Sequence, residues 1–133
     1  MKSFDYYAPQ KLSEATSLLR KHGKKASCLA GGTDLLLRME HRAVSPGVLI
    51  DLKKVRELRG IKTKGKDLTI GALTPMDEIV NSRPVQKHYG IIGKAASLVG
   101  SLQTRNRATV GGNLCNASPA ADALPFLYAV DAR

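Results

Sequence analysis

The chain has 133 residues, with 43% hydrophobic and 24% charged, 21 Lys+Arg against 11 Asp+Glu, and a formal net charge of +10. That composition suits one compact domain, or two small lobes sharing a core, and excludes wholesale disorder. No apolar run approaches the ~20 residues of a membrane helix, the start Met1 to Tyr6 lacks the apolar stretch of a secretory signal, and two cysteines, Cys28 and Cys115, exclude a disulfide framework. Two reduced thiols in a cytoplasmic protein are the expectation.

A basic surface points to anionic partners. The cations cluster at Arg20 to Lys25, Lys53 to Arg59, Lys62 to Lys66 and Arg105 to Arg107. None of Phe4, Tyr6, Tyr7, Tyr89, Phe126 and Tyr128 is interleaved with these clusters as a base-stacking platform requires, so solvated turns and helix ends rank above nucleic-acid binding. His22, His41 and His88 are scattered and the cysteines isolated, so no zinc spacing is present.

In chain order, Phe4 to Tyr7 reads as a short strand ended by Pro9. Ser13 is placed to cap a helix carrying Ala15, Leu18 and Leu19, which His22-Gly23 stops. Ala26 to Ala30 reads as a buried strand with Cys28 as a core thiol, Gly31-Gly32 breaks it, and Thr33 is placed to cap a short helix over Leu35 to Met39. Val48-Leu49-Ile50 suits a strand buried on both faces. Strand, helix, strand, helix, strand is the pattern of a small parallel sheet with crossover helices.

The second half has a different texture. Gly60 to Lys64 and Asp67 to Ile70 read as a hairpin around Lys64-Gly65-Lys66. Thr74, followed by Pro75, Asp77 and Glu78, resembles a helix start, and Ile91 to Leu98 reads as helix. Residues 101–118, rich in Gly, Asn, Ser and Thr, read as irregular with one short strand near Ala108 to Val110. Ala120 to Ala132 has helical spacing, and its abrupt end suggests a larger domain. The expected fold class is α+β: a parallel βαβαβ lobe over residues 1–57, then an incomplete second α+β lobe over 58–133.

Two glycine-rich stretches carry the chemistry. In Leu29-Ala30-Gly31-Gly32-Thr33-Asp34, paired glycines between a strand and a helix start let the backbone approach a ligand closely, and unpaired N–H groups there suit a phosphate. Each charge-assisted hydrogen bond of that kind contributes about 1.5–3 kcal/mol. A tight turn capped by Thr33 or Asp34 explains the same residues. In the second stretch, Thr109-Val110-Gly111-Gly112-Asn113 and then Asn116, Ser118 and Asp122, a strand again runs into Gly-Gly and is followed by hydrogen-bonding side chains. Asp122 either complements a helix start or accepts from ligand hydroxyls. If the two stretches converge, they suit one extended diphosphate ligand. Cys115 reads as a small packing residue.

Ala30 to Asp34, Ile70 to Thr74, Gln103 to Asn106, Thr109 to Asn113 and Ala117 to Asp122, in that order, resemble the FAD-binding subunit, or medium chain, of the molybdenum hydroxylases. That family includes xanthine dehydrogenase, aerobic carbon monoxide dehydrogenase and 4-hydroxybenzoyl-CoA reductase. The resemblance covers the N-terminal part of such a subunit and implies a flavin domain of the vanillyl-alcohol-oxidase and molybdenum-hydroxylase group. It implies non-covalent FAD, with Leu29, Ala30, Gly31, Gly32, Thr33 and Asp34 wrapping the diphosphate. Thr109, Gly111, Gly112 and Asn113 would form the second side, with Asn116 beside it and Asp122 on ribityl hydroxyls. It also implies an iron–sulfur subunit and a molybdopterin subunit as partners, with electrons passing from iron–sulfur clusters through FAD to an acceptor such as NAD. The chain itself has no four-cysteine iron–sulfur pattern. A non-catalytic fragment of the same fold, and a basic nucleic-acid-binding module, are the alternatives.

Overall fold

A computed structural model describes residues 2–119, 121 and 123–133. The first half runs β1 (Asp5–Tyr7), α1 (Leu12–His22), β2 (Ala26–Leu29), α2 (Leu35–Glu40) and β3 (Val48–Asp51). The strands form a parallel sheet in the order β1-β3-β2, with Asp5 and Ala26 both opposite Val48. The central strand is the one whose sequence is continuously apolar, and all four of its residues are buried. This is the pattern of a strand covered on both faces. Two 3₁₀ turns, Leu52–Lys54 and Arg56–Leu58, carry the chain out of the sheet.

The second half opens with the antiparallel hairpin β4 (Ile61–Lys64) and β5 (Asp67–Ile70). Its turn needs a positive φ, supplied by Gly65 at 59°. Ile61, Leu68 and Ile70 face a helical layer of α3 (Met76–Val80), α4 (Arg83–His88), α5 (Gly90–Leu98), α6 (Leu102–Arg105), α7 (Val110–Asn116) and α8 (Ala123–Ala129). Met76, Ile79, Val85, Ile92, Ala96 and Phe126 form its core. A smaller cluster of Ala15 on α1, Val55 between the 3₁₀ turns and Leu73 ahead of α3 links the two halves.

Several local expectations are corrected. Ser13 lies inside α1 and does not cap it: the helix starts after Lys11, and the Leu12 amide donates to Glu57 Oε2 at 2.7 Å, a partner far away in sequence. Thr33 does not cap α2, which follows Asp34 with no side-chain cap. Thr74 is fully buried, with its hydroxyl donating to the Gly60 carbonyl and accepting from the Gly60 amide, and Pro75 takes the cap position of α3. Residues 101–118 are largely helical, as α6 and α7, and the expected strand reduces to a single antiparallel bridge between Thr109 and Pro75.

At the end of β3, Asp51 is a buried carboxylate. It accepts from the Tyr6 hydroxyl at 2.5 Å and from the Lys53 amide at 2.9 Å, and Lys53 Nζ lies 2.7 Å away. Burial pushes its pKa up, but the hydrogen bonds from Lys53 and Tyr6 together outweigh burial and hold it below the ordinary carboxylate value. A carboxyl with a depressed folded pKa contributes stability that is complete above its unfolded value, about 3.9, and is lost as pH falls through the folded value. Asp51→Asn should therefore flatten the acid limb of stability below about pH 4 and cost about 1–3 kcal/mol at neutral pH. Urea unfolding from pH 2 to 7 checks this, and superimposable profiles would contradict it.

Candidate functional site

The loop between β2 and α2 leaves the carboxyl end of a parallel strand, the edge where such sheets leave room for ligands. Gly32 has φ 83°, a conformation glycine adopts without steric cost. Gly31 is required for another reason: a Cβ there would sit 2.0 Å from the Arg107 carbonyl oxygen and 3.1 Å from Ala108 Cα. The first loop thus rests directly on the backbone leading into α7. A Cβ at Gly112 would lie 3.7 Å from the Ala30 Cβ, and one at Gly111 would lie 2.7 Å from the Ala72 carbonyl oxygen. The turns at 31–32 and 111–112 therefore meet. They form two walls of one cleft of about 1010 Å³, lined by Ala30 to Asp34 on one side and Thr109, Gly111, Gly112, Asn113 and Asn116 on the other.

The two walls offer different chemistry. Among the described residues, the amides of Gly31, Gly32, Thr33 and Asp34 have no acceptor. Successive free N–H groups in a turn form an anion-binding concavity. The amides of the second wall are already engaged. Val110 donates to the Thr74 carbonyl at 3.3 Å, Gly111 to the Ala72 carbonyl at 2.8 Å, Gly112 to Thr109 Oγ1 at 3.1 Å and Asn113 to the Thr109 carbonyl at 2.9 Å. Thr109 is thereby the cap of α7, and its hydroxyl is engaged too. What this wall presents is a side chain: Asn113 Oδ1 is buried and has no partner among the described residues. A buried acceptor left unpaired is costly, and a donor entering the cleft would satisfy it.

Leu29 is not in the cleft: its side chain is buried with Met39 and Leu49. Asp122 lies outside the described residues. Cys28 is not a core thiol, nor is Cys115 a packed one, since both are exposed and line the cleft. Partial burial, and then the neighbouring Cys115, push the Cys28 thiol up, so it stays protonated at neutral pH. Arg38, Thr104 and Arg107 also line the cleft, and the loop motifs alone did not single them out. A smaller cavity of about 580 Å³ lies beside α3 and α4, where Arg59 and Glu78 pair at 3.3 Å. No group of three or more metal-ligating side chains occurs among the described residues, and no described helix is long and apolar enough to cross a membrane.

Residues 2–133 match the model of a family described as the FAD binding domain in molybdopterin dehydrogenase. The chain is 39% identical over 130 residues to the carbon monoxide dehydrogenase medium chain of Hydrogenophaga pseudoflava, covering 98% of this chain and 45% of that one. It is 40% identical over 133 residues to the nicotinate dehydrogenase FAD-subunit of Eubacterium barkeri, covering 99% and 45%. Its fold superposes on a structure of the Hydrogenophaga pseudoflava carbon monoxide dehydrogenase with a TM-score of 0.90 at 38% identity, over 92% of this chain and 42% of that one. A chain of quinoline 2-oxidoreductase from Pseudomonas putida 86 superposes with a TM-score of 0.87 at 34% identity, over 92% and 44%. The chain thus spans less than half the length of these relatives.

The convergence of the two turns rests on missing side chains. Gly31→Ala and Gly111→Ala each force a Cβ into backbone and should cost about 1–3 kcal/mol or more. Gly90→Ala, in α5 with nothing within 4 Å of the new Cβ, should stay within about 1 kcal/mol of the parent. Denaturant midpoints measure this. Equal midpoints for all three variants would contradict the close approach.

Proposed function

This chain belongs to the family of FAD-binding domains of molybdopterin dehydrogenases, and from that premise we propose that it holds FAD non-covalently in the cleft between the two Gly-Gly turns. The observation that carries the reading is the pairing of four amides, at residues 31–34, with the buried Asn113 Oδ1 across the same cleft, all without a partner among the described residues. The amides suit the diphosphate, whose charge they meet with donors and no counter-charge. Asn113 suits a hydroxyl donor of the cofactor. Asn116 lies beside it on α7, and Asp122 completes the proposed set.

FAD supplies the redox chemistry when bound. The chain's own residues bind and orient it. The Thr109 cap and the Ala72 and Thr74 carbonyls fix the start of α7, so Asn113 meets the ligand without reorganising. The apolar side chains of Leu35, Leu36 and Leu58 exclude water from one flank of the cleft. The whole protein is proposed to be the flavin component of an oxidoreductase. Its partners would be an iron–sulfur subunit and a molybdopterin subunit, electrons would leave through FAD to an acceptor such as NAD, and its place would be the cytoplasm. The division into residues 1–57 and 58–133 is part of the same proposal: the parallel sheet ends at Asp51 and the hairpin starts at Ile61.

The full-length protein, purified with its neighbouring gene products, should carry flavin visible by absorbance and released intact by denaturation. Asn113→Ala should weaken FAD binding by roughly two- to tenfold, the loss of one neutral hydrogen bond. No flavin as isolated, and none after adding FAD, would overturn the reading.

A further inference from the structure

We infer that Arg107 is a phosphate-binding residue of this cleft, one that makes it select a diphosphate-bearing flavin over an uncharged one. The inference rests on the FAD reading and adds a residue to it. Arg107 belongs to neither Gly-Gly turn, yet its backbone is the surface on which the first turn lies, with its carbonyl oxygen 2.0 Å from the position of a Cβ on Gly31. Its own amide donates to the Thr104 carbonyl at 3.0 Å, and the next residue is tied twice, Ala108 N to the Thr104 carbonyl at 2.7 Å and Met76 N to the Ala108 carbonyl at 2.8 Å. The root of the Arg107 side chain is therefore held against Gly31, the first of residues 31–34, and Arg107 lines the same cleft as the other three.

The charge in the cleft points the same way. Among the described lining residues the cations are Arg38 and Arg107, and the one carboxylate is Asp34, which accepts from Thr33 Oγ1 at 3.3 Å. Nearby cations have other work: Lys53 pairs with Asp51, Arg59 pairs with Glu78, and Arg105 donates to the Gly100 carbonyl at 3.1 Å. Arg107 is exposed and makes no ion pair among the described residues. Neutral amides orient a diphosphate but carry no net charge, whereas a guanidinium neutralises it and offers a planar pair of donors that fits phosphate oxygens. Arg20, exposed on the last turn of α1 and outside the cleft lining, serves as a charge-matched control.

The test titrates the full-length protein, freed of flavin, with FAD and with riboflavin at several salt concentrations. Arg107→Gln should weaken FAD binding by about ten- to hundredfold and make it less sensitive to salt. Riboflavin binding should not change. Arg107→Lys, which keeps the charge and loses the planar fork, should fall between parent and Gln, and Arg20→Gln should stay within about threefold of the parent. If the parent binds FAD and Arg107→Gln binds it equally well with the same salt dependence, or if Arg20→Gln loses as much, the inference is overturned while the FAD reading stands. A parent that binds no FAD overturns the reading beneath it, and the inference with it.

Discussion

The structure of the cleft depends on one close approach: the backbone of Gly31 lying against the carbonyl of Arg107, where a single methyl group would stand 2.0 Å from the oxygen. Protein interiors have no slack to absorb such an overlap. The contact joins the end of β2 to the entry of α7, two segments far apart in the chain. A second close approach, Gly111 on Ala72, and the Gly111 N–H bond to the Ala72 carbonyl hold the same helix start from the other side. These contacts bring a run of free amides and an unpaired amide oxygen into one cavity.

This arrangement divides the labour between two motifs that look alike as strings. Both are Gly-Gly followed by a small polar residue. Both pack a glycine against distant backbone, Gly31 on Arg107 and Gly111 on Ala72. The first leaves its N–H groups without an acceptor among the described residues, whereas the second has its N–H groups engaged and leaves recognition to Asn113. The net charge of +10 is not concentrated in the cleft, whose described lining holds two arginines and one aspartate. Eight of the 21 Lys and Arg residues lie on the hairpin, the two 3₁₀ turns and the last turn of α1, and the cofactor reading does not account for them.

Where local chemistry and tertiary context agreed, the sequence was legible. Val48-Leu49-Ile50 announced a doubly covered strand, and Lys64-Gly65-Lys66 announced a hairpin, because the period and the turn residue are local properties. The helix α7 was hidden because glycines at 111 and 112 oppose helix locally, and it forms through bonds to Ala72 and Thr74 that no local pattern contains. The signal that was there to read is the pair of caps: Ser101 accepting from the Thr104 amide and Thr109 accepting from the Gly112 amide. The start of α1 differs from the sequence expectation because its first amide, Leu12, is satisfied by Glu57, distant in the chain. Cys28 is not in the core because an apolar run does not tell a central strand from an edge strand, and β2 is an edge whose Ser27 and Cys28 line the cleft. The meeting of the two Gly-Gly turns is a condition that the sequence poses and the structure meets, whereas the internal engagement of the second turn's amides has no signal in the motif.

The most direct test of a shared cradle is amide hydrogen exchange of the full-length protein with and without FAD, resolved to single residues by NMR or by fragmentation. The account predicts that FAD slows exchange at Gly31 to Asp34 by a large factor, leaves the already bonded amides of Val110 to Asn113 nearly unchanged, and shifts the Asn113 side-chain signal. Protection confined to the second turn, or flavin binding that leaves residues 31–34 exchanging as fast as before, would contradict it.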